Sequence, residues 1–218
     1  MSYGFLDIAI TPSVFEAQQK MGAHRLWADF HGDRSSERFT ENEVAFIADR
    51  DSFYMASVSE TGWPYLQHRG GPAGFLKVVD AQTLAFADYG GNRQYISTGN
   101  LAANDRVCLF LIDYPRRARL KIYARVEILD VEAEPALTLA LQTPGYRAKV
   151  ERIYRMRLAA FDWNCPQHIT PRFTQAAITE AVRPLHEQLA QLQAENEALR
   201  AQVAKTSDTG GEAASGSG

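Results

Sequence analysis

The sequence predicts a mainly β protein with flanking helices (α+β), an antiparallel barrel closed or partly closed, followed by a C-terminal coiled-coil helix. Three observations lead there. Short apolar, β-branched and aromatic runs separated by glycine-containing turns fill residues 52–130. Helical patterns precede and interrupt them. After residue 175 the pattern changes to leucine at every seventh position. The expected organisation is a barrel domain over residues 1–175, a coiled-coil helix over 176–205 and a disordered tail over 206–218. At 218 residues, 45% hydrophobic and 22% charged, the chain can bury a sizeable core and has ordinary globular composition.

Val14, Phe15, Gln18, Met21 and Trp27 suggest a helix and a looser segment over residues 12–29, with Thr11 or Ser13 as cap. Thr40 and Glu43 have capping-box spacing and open a second helix running through Ile47. Strands are expected over 53–58 and 63–67, joined by the turn Ser59-Glu60-Thr61-Gly62, and then over 75–79, 83–87, 107–112 and 120–129. Residues 92–106 turn short-helical, and a helix start near Ser97 would aim backbone N–H groups at an anion. Residues 136–141 form an apolar helix after Pro135, ended by Pro144-Gly145, and 150–158 alternate basic and apolar residues as a half-buried strand does.

In the C-terminal segment Leu185, Leu192 and Leu199 occupy one seam position, and Val182, Leu189, Asn196 and Val203 the other. This is a zipper of about three heptads with one polar seam residue, and two parallel copies would bring Glu195 near the partner's Arg200. Residues 206–218 are too rich in Gly, Ser and Ala to fold.

A formal charge of -3 and a pI near 6.0 give no global footprint for nucleic acid or an anionic membrane, so any anion site is local. No apolar run approaches the roughly 18 residues of a membrane span, and the N-terminus lacks a signal-peptide layout, which makes the cytoplasm the expected location. Cys108 and Cys165 form neither a disulfide framework nor metal spacing; Cys108 is expected in the core. The five histidines are scattered and no metal site is expected. Dinucleotide-fold, Walker, zinc-protease and nucleophile-elbow motifs are all absent from the sequence.

The informative stretches are Gln67-His68-Arg69-Gly70-Gly71-Pro72 and Asp88-Tyr89-Gly90-Gly91-Asn92-Arg93-Gln94. Both interrupt strand-like runs with glycine and combine fixed positive charge, amide donors and close backbone approach. A phosphate, or a ring system with hydrogen-bonding edges, needs that combination. An anionic cofactor is therefore expected. Arg119 and Lys121 are assigned to the same pocket because alternate strand residues share a face, while Arg116, Arg117 and Arg125 are assigned to solvent.

Residues 62–72, 86–94 and 119–127 together resemble, in order and nearly in spacing, the FMN-binding split barrel of the pyridoxamine 5′-phosphate oxidase-like family. Residues 161–172 are similar to the signature of one uncharacterised branch of it. The resemblance implies FMN as cofactor, bound at the interface of a homodimer. Gln67, His68, Arg69, Gly70, Gly71 and Pro72 match the strand lining the flavin ring and ribityl chain, and Ala87 and Asp88 its next contact pair. Arg93 and Gln94 match the Arg-Lys pair that grips the phosphate, with Asn92 and Ser97 beside them. Arg119 falls where the oxidases carry a glutamine near the ring, and Trp163 with Arg172 loosely matches the C-terminal Trp and Arg supplied by the partner subunit, with Gln167 between them also assigned to the cofactor.

Two departures weigh against the family's vitamin B6 reaction. Pro72 stands where the oxidases carry a phosphate-binding lysine, and their C-terminal Arg-x-His motif is missing, since Phe173-Thr174 follow Arg172. The resemblance thus implies an FMN oxidoreductase on an unassigned small molecule, with NAD(P)H as candidate donor and no obligatory catalytic side chain. The alternatives are a module that stores, senses or buffers flavin without turnover, and a split barrel that holds a deazaflavin or haem.

Overall fold

The structure is a computed structural model that describes residues 3–26, 37–163 and 166–211. Trp27, His31, Cys165 and residues 212–218 of the expected tail, on which expectations were placed, lie outside the described residues. The chain divides into two compact units, residues 1–171 and 172–218.

In the first unit, β1 (Ser52–Val58) alternates as a half-buried strand must, with Phe53, Met55 and Ser57 buried and Tyr54 and Val58 exposed. The turn after it is closed by Ser59, whose N–H donates to the Trp63 carbonyl at 2.9 Å and whose hydroxyl accepts from the Trp63 N–H at 3.0 Å. Gly62 supplies the positive φ of 85° that the turn needs. The remaining strands are β2 (Pro64–Gly70), β3 (Lys77–Asp80), β4 (Thr83–Tyr89), β5 (Arg106–Asp113), β6 (Ala118–Leu129) and β7 (Val150–Trp163). All pair antiparallel in one sheet of order β2-β1-β5-β6-β7-β4-β3 that does not close on itself. This is the split-barrel fold expected. β7 runs five residues beyond the expected end at Leu158.

The main core lies on the inner face, where Phe53, Met55, Phe86, Leu109, Leu120, Ile122, Tyr154 and Met156 are almost fully buried. Each such side chain contributes about 1.5–3 kcal/mol by leaving water. A smaller cluster on the other face joins Ala85, Ala87 and Ile153 to Leu141 of α5 (Pro135–Leu141).

Of the other helices, α1 (Tyr3–Ala9) was not anticipated: seven residues are too few to display a helical period. It is placed by tertiary contact, the Phe5 ring stacking on Tyr123 with centroids 4.5 Å apart. α2 (Pro12–Lys20) is the expected helix, and Gly22 at φ 69° turns the chain into a short 3-10 segment, His24–Leu26. α3 (Glu41–Ala48) begins at the expected capping box: the Thr40 N–H and hydroxyl donate to Glu43 Oε2 at 2.8 and 2.6 Å. Glu43 Oε1 accepts a third bond, from Trp163 Nε1 at 2.7 Å, which ties α3 to the end of β7.

Burial pushes the Glu43 carboxyl up, but the hydrogen bonds from Thr40 and Trp163 outweigh it and hold the group below its ordinary value of 4.5. A depressed carboxylate stabilises the fold fully above its unfolded pKa, and that contribution is lost as pH falls through the folded pKa. Glu43→Gln should therefore be less stable than the parent near neutral pH, by about 1–3 kcal/mol, and the gap should narrow below about pH 4.5. Chemical unfolding at several pH values tests this; a gap independent of pH would refute it.

The second unit holds α6 (Gln175–Gly211), which extends past the expected boundary at 205. Leu185, Leu189, Leu192, Leu199 and Val203, expected to line a seam, are all more than half exposed.

Candidate functional site

Cross-strand partners share a face of a sheet, so register sorts the candidate residues. Gln67 pairs with Met55, Met55 with Leu109 and Leu109 with Ile122, so Gln67 points to the core side. Arg69, opposite Phe53, does the same. His68, Tyr54, Phe110, Lys121 and Asp162 form the neighbouring row and point to the outer side.

The edge strands of the sheet are β2 and β3, and β3 pairs only with the Thr83–Ala85 end of β4, so past it the far end of β4 faces β2 with no backbone ladder between them. Side chains bridge this open seam instead. Arg69 of β2 donates to Asp88 Oδ1 of β4, and Asp88 Oδ2 accepts from Arg152 of β7 at 3.0 Å. Arg152 also donates to Glu151 at 2.7 Å and to the Thr98 hydroxyl at 3.3 Å. The Arg69 guanidinium lies over the Tyr154 ring at 5.2 Å, and that of Arg152 over Tyr95 at 4.7 Å. Burial pushes the Asp88 carboxyl up, opposed by the pull of Arg69 and Arg152. Arg152 pays for partial burial, yet Asp88 and Glu151 hold its pKa above the ordinary value.

Beyond β4 the chain enters α4 (Ile96–Ala103) through a turn in which Asn92 Oδ1 accepts the Gln94 N–H at 3.1 Å. Arg93 and the N-cap Tyr95 have positive φ, 61° and 51°, a conformation that costs a non-glycine residue on the order of 1 kcal/mol or more. The first N–H groups of α4 have no intrahelical acceptor, and the helix dipole adds partial positive charge there. The Ser97 hydroxyl donates to Gln67 Oε1 at 2.7 Å, joining α4 to β2.

These elements enclose a cleft of about 200 Å³ that gathers Gln67, Arg69, Asp88, Asn92, Arg93, Gln94 and Ser97, all expected from sequence. Three arginines against two carboxylates leave its walls net positive. Arg93 is exposed and makes no ion pair among the described residues, whereas Arg69 and Arg152 share Asp88. Sequence reasoning did not single out Arg152, Thr98, Tyr95 or Glu151 for the site. The signal for Arg152 was its alternation with Tyr154 and Met156, but its partner Asp88 follows only from the β4–β7 register.

The other candidates are placed elsewhere. Ala87 packs beneath α5 in the smaller core cluster. Gly70, Gly71 and Pro72 close the end of β2, where the Gly71 N–H donates to the Asp51 carbonyl at 2.9 Å and a Cβ would come within 2.7 Å of the Phe75 ring. His68 meets Tyr54 edge-on at 5.5 Å. Lys121 sits 3.5 Å from Asp162 and over the Phe5 ring. Arg119 and Lys121 do share a face, as expected, but it is the one turned away from the cleft; Arg119 Nε is buried there with no hydrogen-bond partner among the described residues. Trp163 packs edge-on against Phe46 at 4.7 Å in addition to its bond to Glu43. Gln167 is exposed in the turn after β7, and Arg172 opens the helical unit.

Fold and site together define an antiparallel split barrel with a positively lined, donor-rich cleft at its open seam. The chain belongs to the pyridoxamine 5′-phosphate oxidase family, whose model matches residues 39–157, more than half its length. Among solved structures it is similar to a putative pyridoxamine 5′-phosphate oxidase from Lactobacillus delbrueckii, at 19% identity and TM-score 0.44 over 59% of this chain and 96% of that one. It is similar also to an FMN-binding protein from Syntrophomonas wolfei, at 14% identity and TM-score 0.45 over 67% and 97%. An F420 reductase matches at 23% identity and TM-score 0.39 over 53% and 93%. No curated protein matches. Among the described residues no helix is long and apolar enough to cross a membrane, and no cluster of ligating side chains could hold a metal ion.

Proposed function

We propose that the protein is a homodimeric FMN-dependent oxidoreductase acting on a small molecule, with NAD(P)H as the candidate donor. The observation that carries this reading is Arg93, a cation with no ion pair among the described residues, beside the first N–H groups of α4 in a net positive cleft. A phosphate monoester suits that donor set. The buried Arg69 Nε, which has no partner among the described residues, is a further donor available to a ligand. The cleft, at about 200 Å³, falls below the roughly 300–1,000 Å³ usual for a small-molecule site, so it suits the phosphate end and leaves the ring to be covered by a second subunit. His68, Arg119 and Lys121 point to the outer face, away from the cleft, and are not assigned to the group held there.

When bound, the flavin supplies hydride or electron transfer, and the protein supplies binding, orientation and exclusion of water. Arg93, the Gln94 amide and the first N–H groups of α4 would hold the phosphate. Asp88 fixes Arg69 and Arg152 across the seam and so sets the width of the cleft. Gln67, anchored by Ser97, orients an amide edge towards the bound group.

The absorbance spectrum of the purified protein and the mass of its released ligand test the cofactor, and anaerobic bleaching by NADH or NADPH tests the activity. Flavin that is bound but reduced by neither donor would favour a storage or sensing module; absence of flavin would sink the proposal. Pyridoxamine 5′-phosphate should not be oxidised at an enzyme-like rate, because Pro72 cannot donate to its phosphate and hold it against the flavin. Turnover on the order of 1 per second would overturn that expectation.

The exposed seam of α6 is proposed to pair in parallel with its copy, with Asn196 setting the register. Pro184 falls outside the two seam positions, which keeps its missing N–H away from the packed side. If the barrels already dimerise, the two helices meet at high effective concentration and three heptads suffice. Truncation after Arg183 should then leave an FMN-bound dimer with a lower melting temperature; a monomer by light scattering would show that the barrel does not dimerise alone.

A further inference from the structure

A second cavity, of about 590 Å³, lies behind the cleft, between the end of α5 and the segment 142–149 that leads into β7. Tyr89 lines both cavities, and its register partner Val150 lines the second while the next residues, Glu151 and Arg152, line the first. The two sites therefore share one wall. The Gly90 N–H donates to the Lys149 carbonyl at 3.0 Å and pins this segment to the cleft's loop.

The lining chemistry of the second cavity differs from that of the first. It contains two cations, Arg147 and Lys149, and no acidic residue; neither cation makes an ion pair among the described residues. Tyr89 and Tyr146 meet edge-on at 5.0 Å, and Tyr146 is 46% exposed, so a ring face remains open for stacking. Gln142 and Thr143 add an amide and a hydroxyl at the same rim. Unpaired cations, an open aromatic face and uncharged hydrogen-bonding groups within a volume in the small-molecule range match an anion that carries a flat ring.

We propose that this cavity binds a purine nucleotide, at a site separate from the cleft assigned to the flavin phosphate. The ring would stack on Tyr146, and the phosphates would pair with Arg147 and Lys149.

Calorimetric titration of the full-length protein with 5′-ADP, 2′,5′-ADP and inorganic phosphate tests it, with FMN binding measured in parallel. At least one adenine nucleotide should bind one per chain and more tightly than phosphate. Arg147→Ala and Lys149→Ala should each weaken it about tenfold, and Tyr146→Ala should weaken the nucleotide but not phosphate. All three variants should retain the parent's FMN affinity. No nucleotide binding at millimolar concentration, affinity unchanged in the variants, or phosphate binding as tightly as the nucleotides would overturn the proposal. FMN without nucleotide would leave the flavin reading standing and sink this one; nucleotide without FMN would do the reverse.

Discussion

Arg93→Ala is expected to weaken FMN tenfold to a hundredfold while leaving the fold intact. Arg93 is exposed, packs in no core cluster and makes no ion pair among the described residues, so its removal strands no buried partner. Among the described residues, its charge is the one in the cleft not engaged by a carboxylate, because Asp88 accepts from both Arg69 and Arg152. A charge-assisted hydrogen bond is worth about 1.5–3 kcal/mol, which corresponds to that range of affinity. Arg93→Lys keeps the charge but loses the planar fork, and should fall in between. Fluorescence titration with FMN measures both, and an unchanged dissociation constant in a folded Arg93→Ala protein would remove the phosphate from this end of the cleft.

The largest effect on stability is expected at Asp88. Its side chain is 7% exposed and holds two guanidinium groups that are themselves 12% and 17% exposed, so Asp88→Ala would leave both short of an acceptor. Breaking a buried ion pair from one side costs about 3–5 kcal/mol, a sizeable share of the roughly 5–15 kcal/mol that holds a domain together. For a chain of this size the melting temperature should drop by roughly 6–20 °C. Asp88→Asn keeps an acceptor in the same shape and should cost less. The damage should also reach the cleft, since β2 and β4 share no ladder and the carboxylate is what spans them. A melting temperature within about 2 °C of the parent would show that the seam is held by something else.

The readings that came true from sequence are those in which cause and effect lie close along the chain. Thr40 and Glu43 are three residues apart, and the capping box forms because the first turn of any helix brings those positions together. The β1–β2 hairpin follows from Gly62 and its neighbours, and the loop from Asn92 to Ser97 arrives at the cleft as a continuous piece. The same locality explains the difficulty with Arg119 and Lys121. Alternation says that they share a face, but which face is set by strands far away in sequence: Lys121 follows Phe110, Tyr54 and His68 to the outer side, while Gln67, one residue from His68, goes to the core side.

Trp163 shows the same limit. The resemblance set it in a ligand-binding segment, and the structure shows that β7 continues to that residue and its indole N–H finds Glu43, 120 positions earlier. Arg152 looked like one of several basic residues on a strand until the β4–β7 register set it opposite Asp88.

By itself, then, the sequence determined the split-barrel class, the family, a C-terminal helix and the loop that supplies Arg93, because period, turn chemistry and motif spacing are local properties of a chain. Only the tertiary structure decided which face each strand residue serves, that an Arg69–Asp88–Arg152 bridge closes the seam, and that a second cavity backs onto the first across Tyr89. Those outcomes depend on which strands become neighbours, and neighbours are chosen by burial of the whole apolar set against the entropy of ordering the chain, a balance that no single segment carries.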